Sequence, residues 1–493
     1  MNVPGSVLRL LSHRYGVTLL VLLAVLALYG AADFSRPAGT AQAEGGGRSP
    51  IRSTVVACPA PGGARLSALS APPPPSSGRK EAAPLREGRV DLTQTQGAAP
   101  VGSVNVPGTA WSQDVKTAQG SYTLRASGAL AGGFEAEQTT LAKKGDDRGL
   151  AAVRCADPGT DLWFLGPGPA DASHLDLYLT NVDDQAAAVD ASALSDDGPL
   201  DTADGRGTIV EPHTTRVVPI GGSPEGLGVI VAQARLLALH VHVNTGRVAA
   251  SVRVRMGKGK GVDWLPVTAP ATPRLVVPGV PSGAGRRQLL IAVPGDVDAR
   301  IKIQVITPAG AFAPQGQDTL DAPAGTVTPV DLERALSGKA AAVRLVADQP
   351  ILGGLVVQQG DDVAYGAATP PLGGAAGESG GAVADNRDVS SVLLTAPDGP
   401  ATVKLVALTA QGAAANPYVA RVPGNRTLEV RLAAPPGATG GFGVMVLPQP
   451  GSGPVYASRV LTMNKLITIV PVVPAPTSVR FPPVADSLTS LIP

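Results

Sequence analysis

The chain has 493 residues with 40 Lys+Arg, 39 Asp+Glu and 5 His, a net charge of +1 at pH 7, which removes a whole-chain electrostatic case for binding nucleic acid. With 60 Gly, 47 Pro and only 3% aromatic residues, the composition disfavours long helices and describes turn-rich strands of Val, Leu and Ala. Hydrophobic residues at 44% let several domains each bury a core, so the Gly and Pro content does not mean disorder.

The first predicted element is apolar. Gly16 to Ala32 carries no charge and follows Arg9, His13 and Arg14, so the basic flank stays in the cytoplasm and the rest is exported. Its 17 residues fall between a signal-peptide core and a full span of ~20 residues. An uncleaved anchor in the cell membrane is expected, with cleavage after Ala32 and secretion as the alternative. Residues 1–37 are then a cytoplasmic stub and signal-anchor helix, and the Gly/Ala/Ser-rich residues 38–52 a stalk. Cys58 and Cys155, both on the exported side, are expected to form one disulfide. Closing a loop of 97 residues contributes about 4.7 kcal/mol in the chain-entropy picture.

Beyond the stalk, an order of strands recurs. Leu175, Leu177 and Leu179 alternate with polar residues and lead to the turn at Asp183-Asp184. Leu289-Leu290-Ile291 leads to Pro294-Gly295-Asp296, and Val392-Leu393-Leu394 to Pro397-Asp398-Gly399. A later strand is expected in each unit on Leu227, Val229 and Val231, on Val343 and Leu345, and on Phe442, Val444 and Val446. Leu237–Val243, Ile351–Val357 and Val455–Leu461 are expected to close them. A period near 100 residues with short alternating strands predicts an all-β fold of tandem immunoglobulin-like β-sandwich modules. Their expected limits are 53–160 (with the disulfide), 161–260, 261–370 and 387–493, with a linker at 371–386. The Pro-rich stretch from Ala71 to Arg86 is expected to be a loop inside the first module.

The run Cys155-Ala-Asp157-Pro158-Gly-Thr-Asp161-Leu-Trp163-Phe164 and the strand ending at Asn181 resemble family 5719 of the domains of unknown function. Gly132-Gly133-Phe134-Glu135-Ala-Glu137-Gln138 and Arg148-Gly149-Leu150 carry the same resemblance. It implies exported or membrane-anchored actinobacterial proteins of uncharacterised activity, and so place and shape without chemistry. Where that family has Asn-Pro, Asn181-Val182 stands here, so this turn is expected to differ.

Trp163, Phe164, Trp264 and Asp161 form the candidate ligand surface, because flat aromatic faces with a polar rim suit sugars. The competing reading is that each tryptophan plugs a module junction. His240 and His242 share one strand face, as metal ligands can, yet a solvent-facing pair opposite Leu239, Val241 and Val243 also explains them. Asp183-Asp184, Asp196-Asp197-Gly198 and Asp361-Asp362 could hold calcium or simply make turns. Glu135 and Glu137 share a strand face as a glycosidase pair would, against which stands an ordinary solvated face. Gly257-Lys-Gly259-Lys-Gly261 lacks phosphate-loop spacing and reads as a linker.

No nucleophile motif is present, so the expectation is a protein that is not an enzyme and takes no metal and no cofactor. It is expected to serve as an extended, membrane-tethered scaffold or binding protein whose partners are cell-envelope proteins or polysaccharide, with no nucleic acid. A carbohydrate-binding module array is the first alternative and a glycan-modifying enzyme the second.

Overall fold

A computed structural model describes residues 5–34, 48–59, 63–72, 87–97, 100–115, 120–200, 202–373, 380–387, 389–436, 438 and 441–480. The chain forms two compact units, one of residues 1–49 and 480–493 and one of residues 50–479. In the first, helix α1 covers Gly5–Phe34. Its apolar side chains from Val17 to Tyr29 are exposed on every side, unlike those of a helix with one buried face. Among the described residues no helix is long and apolar enough to cross a membrane. The stalk from Ala38 to Gly47 and most of the Pro-rich loop, residues 73–86, lie outside the described residues.

The second unit is all-β and contains four repeats of one strand plan. The first repeat has β1 (Ser53–Cys58), β2 (Ala64–Leu69), β3 (Gly88–Gln94), β4 (Ala110–Val115), β5 (Tyr122–Gly128), β6 (Glu135–Ala142) and β7 (Gly149–Arg154). The second has β8 (Asp161–Pro167), β9 (His174–Thr180), β10 (Ala187–Ser195), β11 (Thr215–Pro219), β12 (Leu236–Thr245), β13 (Ala249–Arg255) and β14 (Val262–Leu265). The third has β15 (Thr272–Val280), β16 (Arg287–Ala292), β17 (Ala299–Thr307), β18 (Val327–Asp331), β19 (Ala341–Gln359) and β20 (Asp362–Ala367). The fourth has β21 (Gly381–Asn386), β22 (Val389–Ala396), β23 (Ala401–Thr409), β24 (Arg426–Leu432), β25 (Phe442–Pro448), β26 (Tyr456–Met463) and β27 (Leu466–Val472).

In every repeat the first, fifth and third strands make one antiparallel sheet, and the fourth, second, sixth and seventh make the other. The third repeat fuses its fifth and sixth strands into β19, which ends its pairing with β17 at Ala347 and with β15 at Ile351 and joins the second sheet at Leu352. Pro350, which has no N–H to give to a ladder, sits at that crossing. The order differs from the ABED and CFG sheets of immunoglobulin constant domains. Of the expected fold, the structure shows an all-β chain with two antiparallel sheets per repeat, in which the second strand pairs with the fourth and sixth.

One core fills each sandwich, since alternate residues of each strand face inward. Leu177, Val189, Leu239 and Val252 meet in the second repeat, and Leu289, Ile303, Val343 and Leu355 in the third. Leu177, Leu290 and Leu393, which mark the period in the sequence, all lie on the second strand of their repeats. The strand expected on Leu227, Val229 and Val231 is instead two 3-10 turns, Pro224–Gly226 and Gly228–Gln233. Leu227 between them is left-handed at φ 70°, and the flanking Gly and Pro residues break the alternation. β12 thus takes the fifth place of its repeat, and β13 the sixth. Val262–Leu265 pairs with β13, and Gly381–Asn386 pairs with β25. These ladders take the second repeat to 265 and start the fourth at 381, inside the expected linker.

The four repeats close on one another, which corrects the expectation of an extended array. Ala57 and Ala156 meet Val182 and Ala249, and Leu165 and Ala238 meet Leu290 and Leu352. Val460 and Ile469 enter the core of the third repeat, and Leu69 and Ala110 meet Ala384 and Met445. At the centre, the seventh strands β7, β14, β20 and β27 each pack against the next. Gly149 and Gly261 permit this: a Cβ at Gly149 would lie 2.6 Å from the Val262 nitrogen, and one at Gly261 2.7 Å from the Val363 nitrogen.

Candidate functional site

The central strands carry buried carboxyl groups. Asp263 on β14 accepts hydrogen bonds from the Ala152 N–H (3.1 Å) and the Thr468 hydroxyl (3.0 Å), on two other repeats. Asp362 on β20 accepts one from the Ile467 N–H (2.8 Å). Burial pushes the Asp263 carboxyl well above its ordinary range and that of Asp362 up to about 7. Arg148 donates to the carbonyls of Gly259 (3.1 Å) and Asp361 (3.2 Å). Asp362 therefore joins the third repeat to the fourth. Asp183 pairs with Arg247, Asp184 lies 2.7 Å from His213, and Asp196 accepts from the Arg235 and Leu236 N–H groups.

Glu135 and Glu137 do share the β6 face, but it is buried, at 4% and 2% exposed. Glu135 lies 2.7 Å from Arg154, and burial, against the pull of Arg154, raises it to about 7. Glu137 pairs with the fully buried Arg459 of β26, whose own affinity for its proton burial lowers to about 9. The solvated-face reading is thus corrected: Glu137 ties the first repeat to the fourth. Cys58 and Cys155 are joined in a disulfide between the end of β1 and the residue after β7.

The four residues of the expected ligand surface are not together. Phe164 is 1% exposed in the core of the second repeat. Trp264 is 2% exposed beside Ala151 and Val153 of the first repeat, edge-on to Tyr178 at 5.3 Å. Both line a mostly apolar cleft of about 260 Å³ with Pro158, Val267 and Ile469. Neither presents a face to solvent, and of the four only Asp161 is exposed, with Trp163 half-buried. Pairing of β8 with β12 places Asp161 opposite His242 and Trp163 opposite His240. Trp163 stacks on His240 at 4.1 Å with 4° between planes, and its other neighbours lie at the junction with the third repeat.

A polar cleft of about 210 Å³ between the first and fourth repeats escaped the sequence reading. Trp111, half-buried on β4, lines it with Arg65, Asp385, Gln411 and Phe442. Arg65 reaches Asp114 at 3.4 Å. Asp385, 1% exposed, is 2.9 Å from Arg387 through Oδ2, while Oδ1 has no hydrogen-bond partner among the described residues. The only signal of this cleft was Trp111 itself, since the residues opposite it lie some 270 positions or more away.

No curated protein is similar enough to the chain to match it. The model of the family of unknown function DUF5719 matches residues 110–433, from β4 to just past β24 and about two thirds of the chain, so the chain belongs to that family.

Proposed function

We propose that the protein is anchored in the cell membrane through Gly16–Ala32 and works outside the cytoplasm as a non-catalytic binding protein of the cell envelope. The anchor is supported by a charge-free apolar stretch after Arg9, His13 and Arg14, and the compartment by the disulfide. The carboxylate pair that a hydrolase would need is engaged by Arg154 and Arg459, which favours binding over catalysis.

Polysaccharide is the ligand class we assign to the cleft between the first and fourth repeats. The observation that carries this is Asp385, a buried carboxylate whose Oδ1 has no hydrogen-bond partner among the described residues and which lines the cleft with Trp111 and Arg65. Hydroxyls of a sugar would complete the carboxylate, and its C–H faces would pack on the indole. Titration of the full-length protein with envelope polysaccharide fragments should change tryptophan emission, with Trp111→Ala weakening binding at least tenfold. An unaltered spectrum across the panel would remove the polysaccharide assignment. Loss of residues 1–34 should release the protein from the membrane fraction, and retention there would remove the anchor.

A further inference from the structure

We infer that Asp161, His240 and His242 form a three-ligand site for a divalent transition-metal ion of the zinc type on the outer face of the second repeat. Among the described residues, this trio brings three possible ligand atoms within 4.8 Å of one another. The strand plan makes the arrangement. His240 and His242 stand two apart on β12 and so share a face, while Leu239, Val241 and Val243 between and beside them fill the core. β8 then sets Asp161 directly opposite His242. From there its Oδ1 reaches to 2.9 Å from His240 Nε2.

The donors match the ion. Zinc binds imidazole nitrogen and carboxylate oxygen at about 2.0–2.2 Å, which in a tetrahedron separates donors by about 3.3 Å. Asp161 and His242 are both exposed, so their rotamers are free to move the small distance needed. His240 is held: Trp163 lies flat against its ring.

The neighbouring strand adds charge without adding a ligand. β10 places Asp190 opposite His242 and Ser192 opposite His240. Both Asp190 oxygens are already engaged, by the Gly207 N–H at 2.7 Å and the Asn244 amide at 2.8 Å. Three protein ligands on an outward face leave the fourth position to water or to an incoming donor, as in open zinc sites. Two imidazoles and one carboxylate favour zinc, nickel or copper over calcium and magnesium, which require mostly oxygen ligands.

The test is calorimetric titration of the untagged full-length protein in detergent with Zn2+, repeated with Co2+ while recording visible absorption. One Zn2+ per chain is expected, together with a Co2+ ligand-field band. Asp161→Asn and His242→Ala should each weaken binding about tenfold or more, and the double variant His240→Ala, His242→Ala should abolish it. His213→Ala, on the same repeat but outside the site, should bind as the unaltered protein does and shows that the fold tolerates loss of a histidine. Absence of Zn2+ binding at millimolar concentration, unchanged binding in the double variant, or Ca2+ displacing Zn2+ at equal concentration would each overturn the assignment.

Discussion

At the residue scale, buried ion pairs and carboxylates set how the protein responds to mutation and to pH. Arg459 is fully buried against Glu137, so deleting one partner leaves a bare charge in the junction. Arg459→Met should destabilise the protein by about 3–5 kcal/mol, whereas joint replacement of Glu137 and Arg459 by Leu and Met should recover most of the loss. Chemical denaturation of the two variants checks this. Glu135 and Asp362 have carboxyls raised to about 7 from ordinary values of 4.5 and 3.8. Between those limits the folded protein keeps protons that the unfolded chain has released, so the stability these two groups contribute falls as pH rises through about 7. A melting temperature higher at pH 5 than at pH 8 is expected, with a shallower slope in Asp362→Asn. A flat profile in the unaltered protein would contradict it.

Among elements, alternation made most strands readable while their pairing stayed hidden. Leu177, Leu290 and Leu393 mark equivalent strands, yet only Leu177 faces its own core, while Leu290 and Leu393 pack against neighbouring repeats. The run at Leu227, Val229 and Val231 shows the limit of that signal. It alternates as a strand would, yet Pro224, Gly226 and Gly228 impose turns that a period of two does not register. Leu227 tests which force holds the turn. A left-handed non-glycine residue costs roughly 1–2 kcal/mol, while a buried Leu contributes about 1.5–3 kcal/mol before any cavity cost. Since Leu227 is fully buried, Leu227→Gly should lower stability by about 1–3 kcal/mol, and a gain would show that backbone strain dominates. The candidate sites were less legible for the same reason. Asp161 meets His240 and His242 only through a ladder joining residues about 80 apart, and Trp111 meets Asp385 across two repeats.

For the molecule as a whole, the residues that carry the family resemblance find their place at the junctions. Arg148 and Gly149 sit at the centre, Glu137 holds Arg459, and Val182, which stands where the family has Pro, is buried against Ala57 and Ala249 while its carbonyl accepts from Arg125. Periodicity marked three of the four sandwiches, but contacts between repeats join residues of high sequence separation, and nothing in a local pattern encodes them. Gly149→Val should therefore open the centre, because its side chain would enter the space of Val262, and limited proteolysis should then cleave between repeats.

Closure of the four repeats into one body is most directly tested by small-angle X-ray scattering of residues 50–479. A closed body of this length has a radius of gyration of about 22 Å, whereas four 100-residue modules of about 13 Å set in line would give about 40 Å. The account predicts the smaller value, and a radius near the larger one would show that the repeats stand apart.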